Sequence, residues 1–158
     1  DFLLEKDIQD FMVEIGGEVY CHGVNQMGQS WAIAIDQPLE DITQRAIEAI
    51  IPIEAGAIAT SGSYRNFYIK EGKKYSHTID PRTGYPVQHS LLSATVIAPS
   101  CAMADAYATA FMVMGLENSI EFLNENWDLD LEVYFIYEED GQIRTAVTEK
   151  LADIAIQP

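Results

Sequence analysis

The sequence predicts an α+β fold with a largely antiparallel sheet. Hairpin patterns stand before and after a pair of consecutive helical stretches, and no repeat or low-complexity linker divides the chain. With 158 residues, one domain with a substantial core is expected. A hydrophobic fraction of 48% supplies enough apolar surface to offset the entropy of ordering.

In chain order, residues 11–35 read as a β-hairpin. "FMVEIGGEVYCHGV" alternates apolar and polar residues around Gly16 and Gly17, "NQMGQ" turns, and "SWAIAID" returns. Paired glycines inside a strand pattern mark a bulge or a close approach to a neighbour or ligand. "PLEDITQRAIEAIIPIEAG" reads two ways. Its first half suits a helix, whereas Ile50, Ile51, Pro52 and Ile53 suit extended chain leading into "AIATSG". "YRNFYIK" and "KKYSHTI" flank Glu71 and Gly72 as another hairpin, whose second strand would set Lys73, Tyr75, His77 and Ile79 on one face. A turn at 80–84 leads into the apolar strand "LLSATVIAP". "SCAMADAYATAFMVMG" reads as a helix ending at Gly115, and "ENSIEFLNEN" as a second, amphipathic one. "LEVYFIY", "EEDG" and "QIRTAVT" complete a terminal hairpin.

The net charge of −16 argues against nucleic acid as a partner, because phosphate backbones need a basic footprint. The charge is unevenly spread. Residues 60–90 hold Arg65, Lys70, Lys73, Lys74 and Arg82 against only Glu71 and Asp80. Such an island would focus a small anion, although a solvated hairpin explains the charges alone as well. Cys21 and Cys101 are too few and too far apart for a zinc site or a disulfide framework. Cys101 opens a helix, where a thiol can be activated; a small buried side chain is the plainer expectation. No segment approaches 18 uninterrupted apolar residues, so no membrane-spanning helix is expected. The chain shows no signal peptide and begins at Asp1 without a methionine, as expected of a processed chain or a piece of something longer.

Two positions stand out chemically. From Cys101 to Gly115 the only polar side chains are Asp105, Thr109 and the Tyr107 hydroxyl. A helix apolar all round is expected to be buried, and a buried carboxylate needs a partner. Asp105 and Thr109 at i and i+4, with alanines for access, suit a hard cation such as Mg²⁺. Hydrogen bonds to backbone donors, or pairing with a nearby basic residue, account for Asp105 equally well. His77 is the other position. Strand histidines are commonly packed or merely exposed, but the rigid Asp80–Pro81 turn beside this one supplies the positioning that chemistry requires.

"ATSGSYRNFYIKEGKKYSHTIDPRTGYPV" followed by "CAMADAYATAFMVMG" resembles the signature blocks of the ApbE family, the FAD:protein FMN transferases. "VEIGGEVYCHG" and "WAIAID" resemble that family's central hairpin. The resemblance implies a T-fold-like architecture and an enzyme that moves FMN from FAD to a threonine or serine hydroxyl, with Mg²⁺, releasing AMP. By position, Asp105 and Thr109 match the metal ligands, and His77 matches the histidine that assists the attacking hydroxyl. Thr78 and Ile79 fall where the family's strand lies along the flavin nucleotide. Ser61 and Gly62, and Gly17 and Glu18, are further motif positions. The implied partners are FAD and acceptor subunits of membrane redox complexes.

The family's N-terminal half, with its K-G-x-x-x-D block, has no counterpart here, so residues 1–158 are expected to be the C-terminal portion and inactive alone. Export to the periplasm, or a lipid anchor on an upstream cysteine, is implied by the resemblance only. An Mg²⁺-dependent FAD pyrophosphatase and a non-catalytic flavin-binding module are the alternatives. An adaptor using its acidic surface would leave Asp105 unexplained.

Overall fold

The computed structural model describes residues 2–39, 46–63, 67–70 and 73–157, with backbone alone for 67–70 and 73–76. Its framework is a six-stranded antiparallel sheet. β1 (Phe11–Ile15) and β2 (Glu18–His22) form its first hairpin, and β5 (Ala55–Gly62) pairs with β2. β10 (Leu91–Ala98), β11 (Glu132–Glu139) and β12 (Gln142–Val147) complete the order β1-β2-β5-β10-β11-β12. The predicted class therefore holds.

The hairpin at the start of the sheet is tighter than the sequence suggested. Gly16 and Gly17 form a two-residue loop with φ of 71° and 109°, facing Ile15 to Glu18 across the turn. Positive φ at both loop positions matches the twist of the strands, and glycine adopts it without steric cost. The glycines thus close the hairpin themselves. β3 (Trp31–Asp36) consequently does not return onto β2 as expected. It pairs with β4 (Ile47–Ile53) in a separate two-stranded ribbon. The strand reading of 50–53 holds, while the helix suggested just upstream falls largely at 40–45, outside the described residues.

Two cores lie on opposite faces of the sheet. On one face, α1 (Cys101–Met114) and α2 (Leu116–Glu125) cover Ala57, Ala59, Val96, Val133 and Phe135. On the other, the β3–β4 ribbon and α3 (Glu149–Ile154) cover Val19, Ile58, Tyr134 and Ile136. The sorting follows strand alternation, since neighbours along β11 point to opposite faces. Phe111 anchors the helical core, edge-on to Phe135 with ring centroids 5.6 Å apart. Truncating such a side chain costs about 3–5 kcal/mol.

α1 starts where Ser100 caps it, its hydroxyl accepting from the Met103 N–H at 3.4 Å, and stops at Gly115, as predicted. The terminal β11–β12 hairpin also matches. α3 was not anticipated. Further on the same theme, β6 (Phe67–Lys70) pairs with β7 (Lys73–Ser76), Lys70 facing Lys73, as the second hairpin reading required. That strand stops at Ser76. His77 lies in a bend, and a new short strand, β8 (Ile79–Asp80), pairs with β9 (Tyr85–Pro86). The expected continuous face through Lys73, Tyr75, His77 and Ile79 is therefore broken, because the turn at 81–84 builds its own small hairpin. Among the described residues, no helix is long and apolar enough to cross a membrane.

Candidate functional site

The turn after His77 is built from its own side chains. Asp80 Oδ1 accepts from the Arg82 backbone N–H at 2.9 Å, and its two oxygens accept from the Arg82 guanidinium at 3.0 Å each. These hydrogen bonds hold the Asp80 carboxyl below the usual carboxylate range. The Gly84 N–H returns to the Asp80 carbonyl at 2.8 Å, and the Tyr85 N–H donates to the Thr83 hydroxyl at 3.2 Å. Finally the Val87 N–H donates to the Thr78 carbonyl at 3.0 Å. The backbone beside His77 is thus fixed, as the Asp80–Pro81 motif suggested. Arg82, however, is committed to Asp80 and does not serve as a free anion ligand. Arg65 and the side chains of Lys70, Lys73 and Lys74 lie outside the described residues.

His77 and Thr78 line a cavity of about 700 Å³. Its walls come from the β1–β2 loop (Gly16, Gly17), from β3 (Ala32 to Asp36), and from the end of β5 (Thr60, Ser61, Gly62). Thr95 on β10 and Thr109 and Met112 on α1 complete it. The volume falls in the range of small-molecule and cofactor sites. Hydroxyls dominate the wall near the end of β5. Thr60 and Thr95, opposite each other across the strands, lie 2.8 Å apart at their oxygens. Ser61 and Thr109 lie 3.0 Å apart, which ties the helix to the strand. Glu14 and Asp36 also face this cavity, so an anionic ligand needs a countercharge there.

Asp105 is placed otherwise than expected. α1 packs on the sheet through Ala104, Ala108, Phe111 and Met112, leaving Ala102, Asp105, Ala106 and Thr109 exposed. The prediction of a buried Asp105 fails because alanine reads as apolar yet covers little surface, so a helix rich in it need not be enclosed. Asp105 lines a second hollow, of about 350 Å³, with Val13, Ile15, Glu18, Tyr20, Cys101 and Ala102. One helical turn separates it from Thr109 along the same exposed face. The structure therefore joins His77, Thr78 and Thr109 in one cavity and sets Asp105 in the adjoining hollow. Ile79 is 48% exposed and lines neither. Of the other motif positions, Gly17, Ser61 and Gly62 line the large cavity, and Glu18 the smaller hollow.

Sequence reasoning passed over Thr60, Thr95, Glu14 and Asp36. Thr60 and Thr95 carried a usable signal, being hydroxyls in largely apolar strands. The thiols are not activated. Burial pushes Cys21 up to about 11 and, with Glu18 nearby, also raises Cys101, so the helix start does not favour its thiolate. Of the three histidines only His77 lines the cavity; His22 donates to the Gln9 carbonyl at 2.6 Å and stacks on Phe11. Among the described residues, no group of three or more His, Cys, Asp or Glu side chains is arranged to hold a metal ion.

Comparison with known proteins gives a consistent result. The family model described as "ApbE family" matches residues 1–135. A protein named FAD:protein FMN transferase from Haemophilus influenzae is 41% identical over 139 residues, covering 88% of this chain and 39% of the relative. The protein of that name from Vibrio cholerae is 45% identical over 126 residues, covering 80% and 37%. Among solved structures, the flavin transferase ApbE from Vibrio cholerae superposes with a TM-score of 0.81 at 37% identity, covering 98% of this chain and 47% of that one. The apo form of the Pseudomonas stutzeri flavinyl transferase ApbE gives 0.77 at 32% identity, covering 97% and 47%. The chain thus spans about two-fifths of the length of the curated relatives it matches.

Proposed function

This chain belongs to the ApbE family, and we propose that it is the C-terminal portion of a flavin transferase that moves FMN from FAD to a threonine or serine hydroxyl of a target protein. The observation that carries this reading is the cavity shared by His77, Thr78 and the Ser61–Thr109 pair. In the proposed reaction the acceptor hydroxyl oxygen attacks the phosphorus on the FMN side of the pyrophosphate. A bond forms from that oxygen to phosphorus, the bond from phosphorus to the bridging oxygen breaks, and AMP leaves. The hydroxyl proton passes to the His77 imidazole, the one histidine lining the cavity. The fixed turn at 80–84 holds His77 in place, and the Thr60, Ser61 and Thr95 hydroxyls offer hydrogen bonds along the wall.

Asp105 and Thr109 present a carboxylate and a hydroxyl one turn apart on an exposed helix face, hard oxygens that fit two positions around Mg²⁺. When bound, the ion would neutralise charge on the pyrophosphate. Its remaining ligands would come from water, substrate and the rest of the protein. The reading extends to acceptor subunits of membrane redox complexes and to an exported enzyme, supported by family resemblance alone.

The test is transfer by the full-length protein with FAD, Mg²⁺ and a threonine-bearing acceptor. Covalent flavin on the acceptor and equimolar AMP are expected, with His77→Ala slowing transfer on the order of 10²-fold while FAD still binds. Free FMN and AMP with an unlabelled acceptor would instead establish a pyrophosphatase.

A further inference from the structure

We propose that His89 is a positioning residue of this site, stapling the last turn of α1 to the start of β10 and thereby setting Thr109 against Ser61. The inference rests on the reading of Thr109 as a site residue. The Leu91 N–H donates to His89 Nδ1 at 3.2 Å, and Nε2 lies 2.7 Å from the Met112 carbonyl oxygen. A carbonyl only accepts, so Nε2 carries the proton, and the ring is a neutral tautomer with a partner on each side.

Both partners need this ring. The Gly115 N–H takes the Phe111 carbonyl, at the last turn of the helix. The Met112 carbonyl is among the final four, which the helix itself does not satisfy. His89 fills that role from a different element. Gly115 makes room for it: a Cβ there would stand 3.2 Å from His89 Cδ2, at a φ of +79° that already favours glycine.

The staple bears on the site through rigid elements. Met112 lines the large cavity, and Thr109 lies one turn before it on the same helix. Ser61, the partner of Thr109, sits on β5 opposite Ala94 of β10. Helix and sheet are therefore joined twice, by His89 just before β10 at the helix end and by Ser61 of β5 to Thr109 in the cavity wall. Without the first join, the last turn of α1 can shift slightly against the sheet while Phe111 stays packed in the core, and the exposed 3.0 Å hydroxyl contact is the one a small shift disturbs first. Misplacing a reacting group by about 1 Å can cost on the order of 10²-fold in rate.

Two conservative variants divide the staple. His89→Gln keeps an N–H donor within reach of Met112 but offers no acceptor at the Nδ1 position. His89→Asn places an oxygen near the Nδ1 position but cannot reach Met112. In the ¹⁵N-labelled 158-residue chain, we expect Gln to leave the Ser61 and Thr109 amide resonances near their wild-type positions, and Asn to shift both, although the two lose similar thermal stability. Equal shifts in both variants, or in neither, would overturn the positioning role. FAD affinity in the full-length protein should follow the same split, Asn binding on the order of tenfold more weakly. If the resonances split and FAD affinity does not, the staple stands and the reading of the cavity as a flavin site fails. Should His89→Asn not fold, the wild-type ring decides alone: its ¹⁵N shifts must show the Nε2–H tautomer, and an Nδ1–H form would refute the staple.

Discussion

The two hollows that α1 helps to wall differ in how complete they are. The larger is braced by its own hydrogen bonds, between Ser61 and Thr109 and between Thr60 and Thr95, and draws on strands from both the sheet and the ribbon. The smaller rests on an edge strand whose apolar side chains face outward, Val13 at 37% and Ile15 at 75% exposure. Apolar surface on a sheet edge is a liability that proteins normally cover. The proposed ligands fall on both sides of this divide, Thr109 in the larger cavity and Asp105 in the smaller hollow, both on the exposed face of α1. An apolar hollow left open at the sheet edge fits the proposed division of the active site between this chain and a second half of a longer protein.

The sharpest way to break this comparison is Asp105→Asn in the full-length protein. Asparagine keeps the size and one oxygen but removes the charge, so transfer should fall by on the order of 10²-fold and recover in part at high Mg²⁺. Because Asp105 is exposed, thermal stability should stay within about 0.5 kcal/mol of wild type. Unchanged Mg²⁺ dependence with clear destabilisation would return Asp105 to a structural role.

Thr109→Val probes the larger cavity. It removes one partner of the Ser61 hydroxyl, so a stability loss of about 1 kcal/mol should accompany the slower transfer. A variant that slows transfer without any melting shift would show that the Ser61 contact contributes nothing to the fold. Together the two substitutions separate a ligand on an open face from one built into a wall.

The smallest effect concerns Cys21, wholly buried behind the cavity wall. Its folded pKa is raised to about 11 from 9.0, so the unfolded chain loses this proton first. Its contribution to stability is complete below pH 9 and lost as pH rises toward 11. Chemical denaturation across that window should show stability falling with pH, more steeply than in Cys21→Ala. Parallel profiles would mean the thiol is not desolvated as described.

Local chemistry made much of this legible in the sequence. The 80–84 turn, the stop of α1 at Gly115, and the terminal hairpin depend on residues close together in the chain, and all appear as read. What failed depended on distant partners. Nothing in "SWAIAID" indicates that β3 pairs with β4 rather than β2. Nothing in an alanine-rich helix tells which side the sheet takes, so Asp105 was placed inside. His77, Thr78 and Thr109 were named from the sequence, whereas the Thr60–Thr95 pair needed the strand register to bring two threonines together. His89 carries no motif signal of its own; its partners lie on β10 and the far end of α1.

Residues 1–158 are proposed to supply one part of a divided active site. The most direct test incubates the 158-residue chain, and separately the full-length protein, with FAD, Mg²⁺ and a threonine-bearing acceptor, and reads flavin fluorescence on the denatured acceptor. Weak FAD binding and no label are expected from the 158-residue chain, with labelling by the full-length protein. Covalent flavin on the acceptor from the 158-residue chain alone would refute the divided site, because the larger cavity and the exposed Asp105 would then suffice for the reaction.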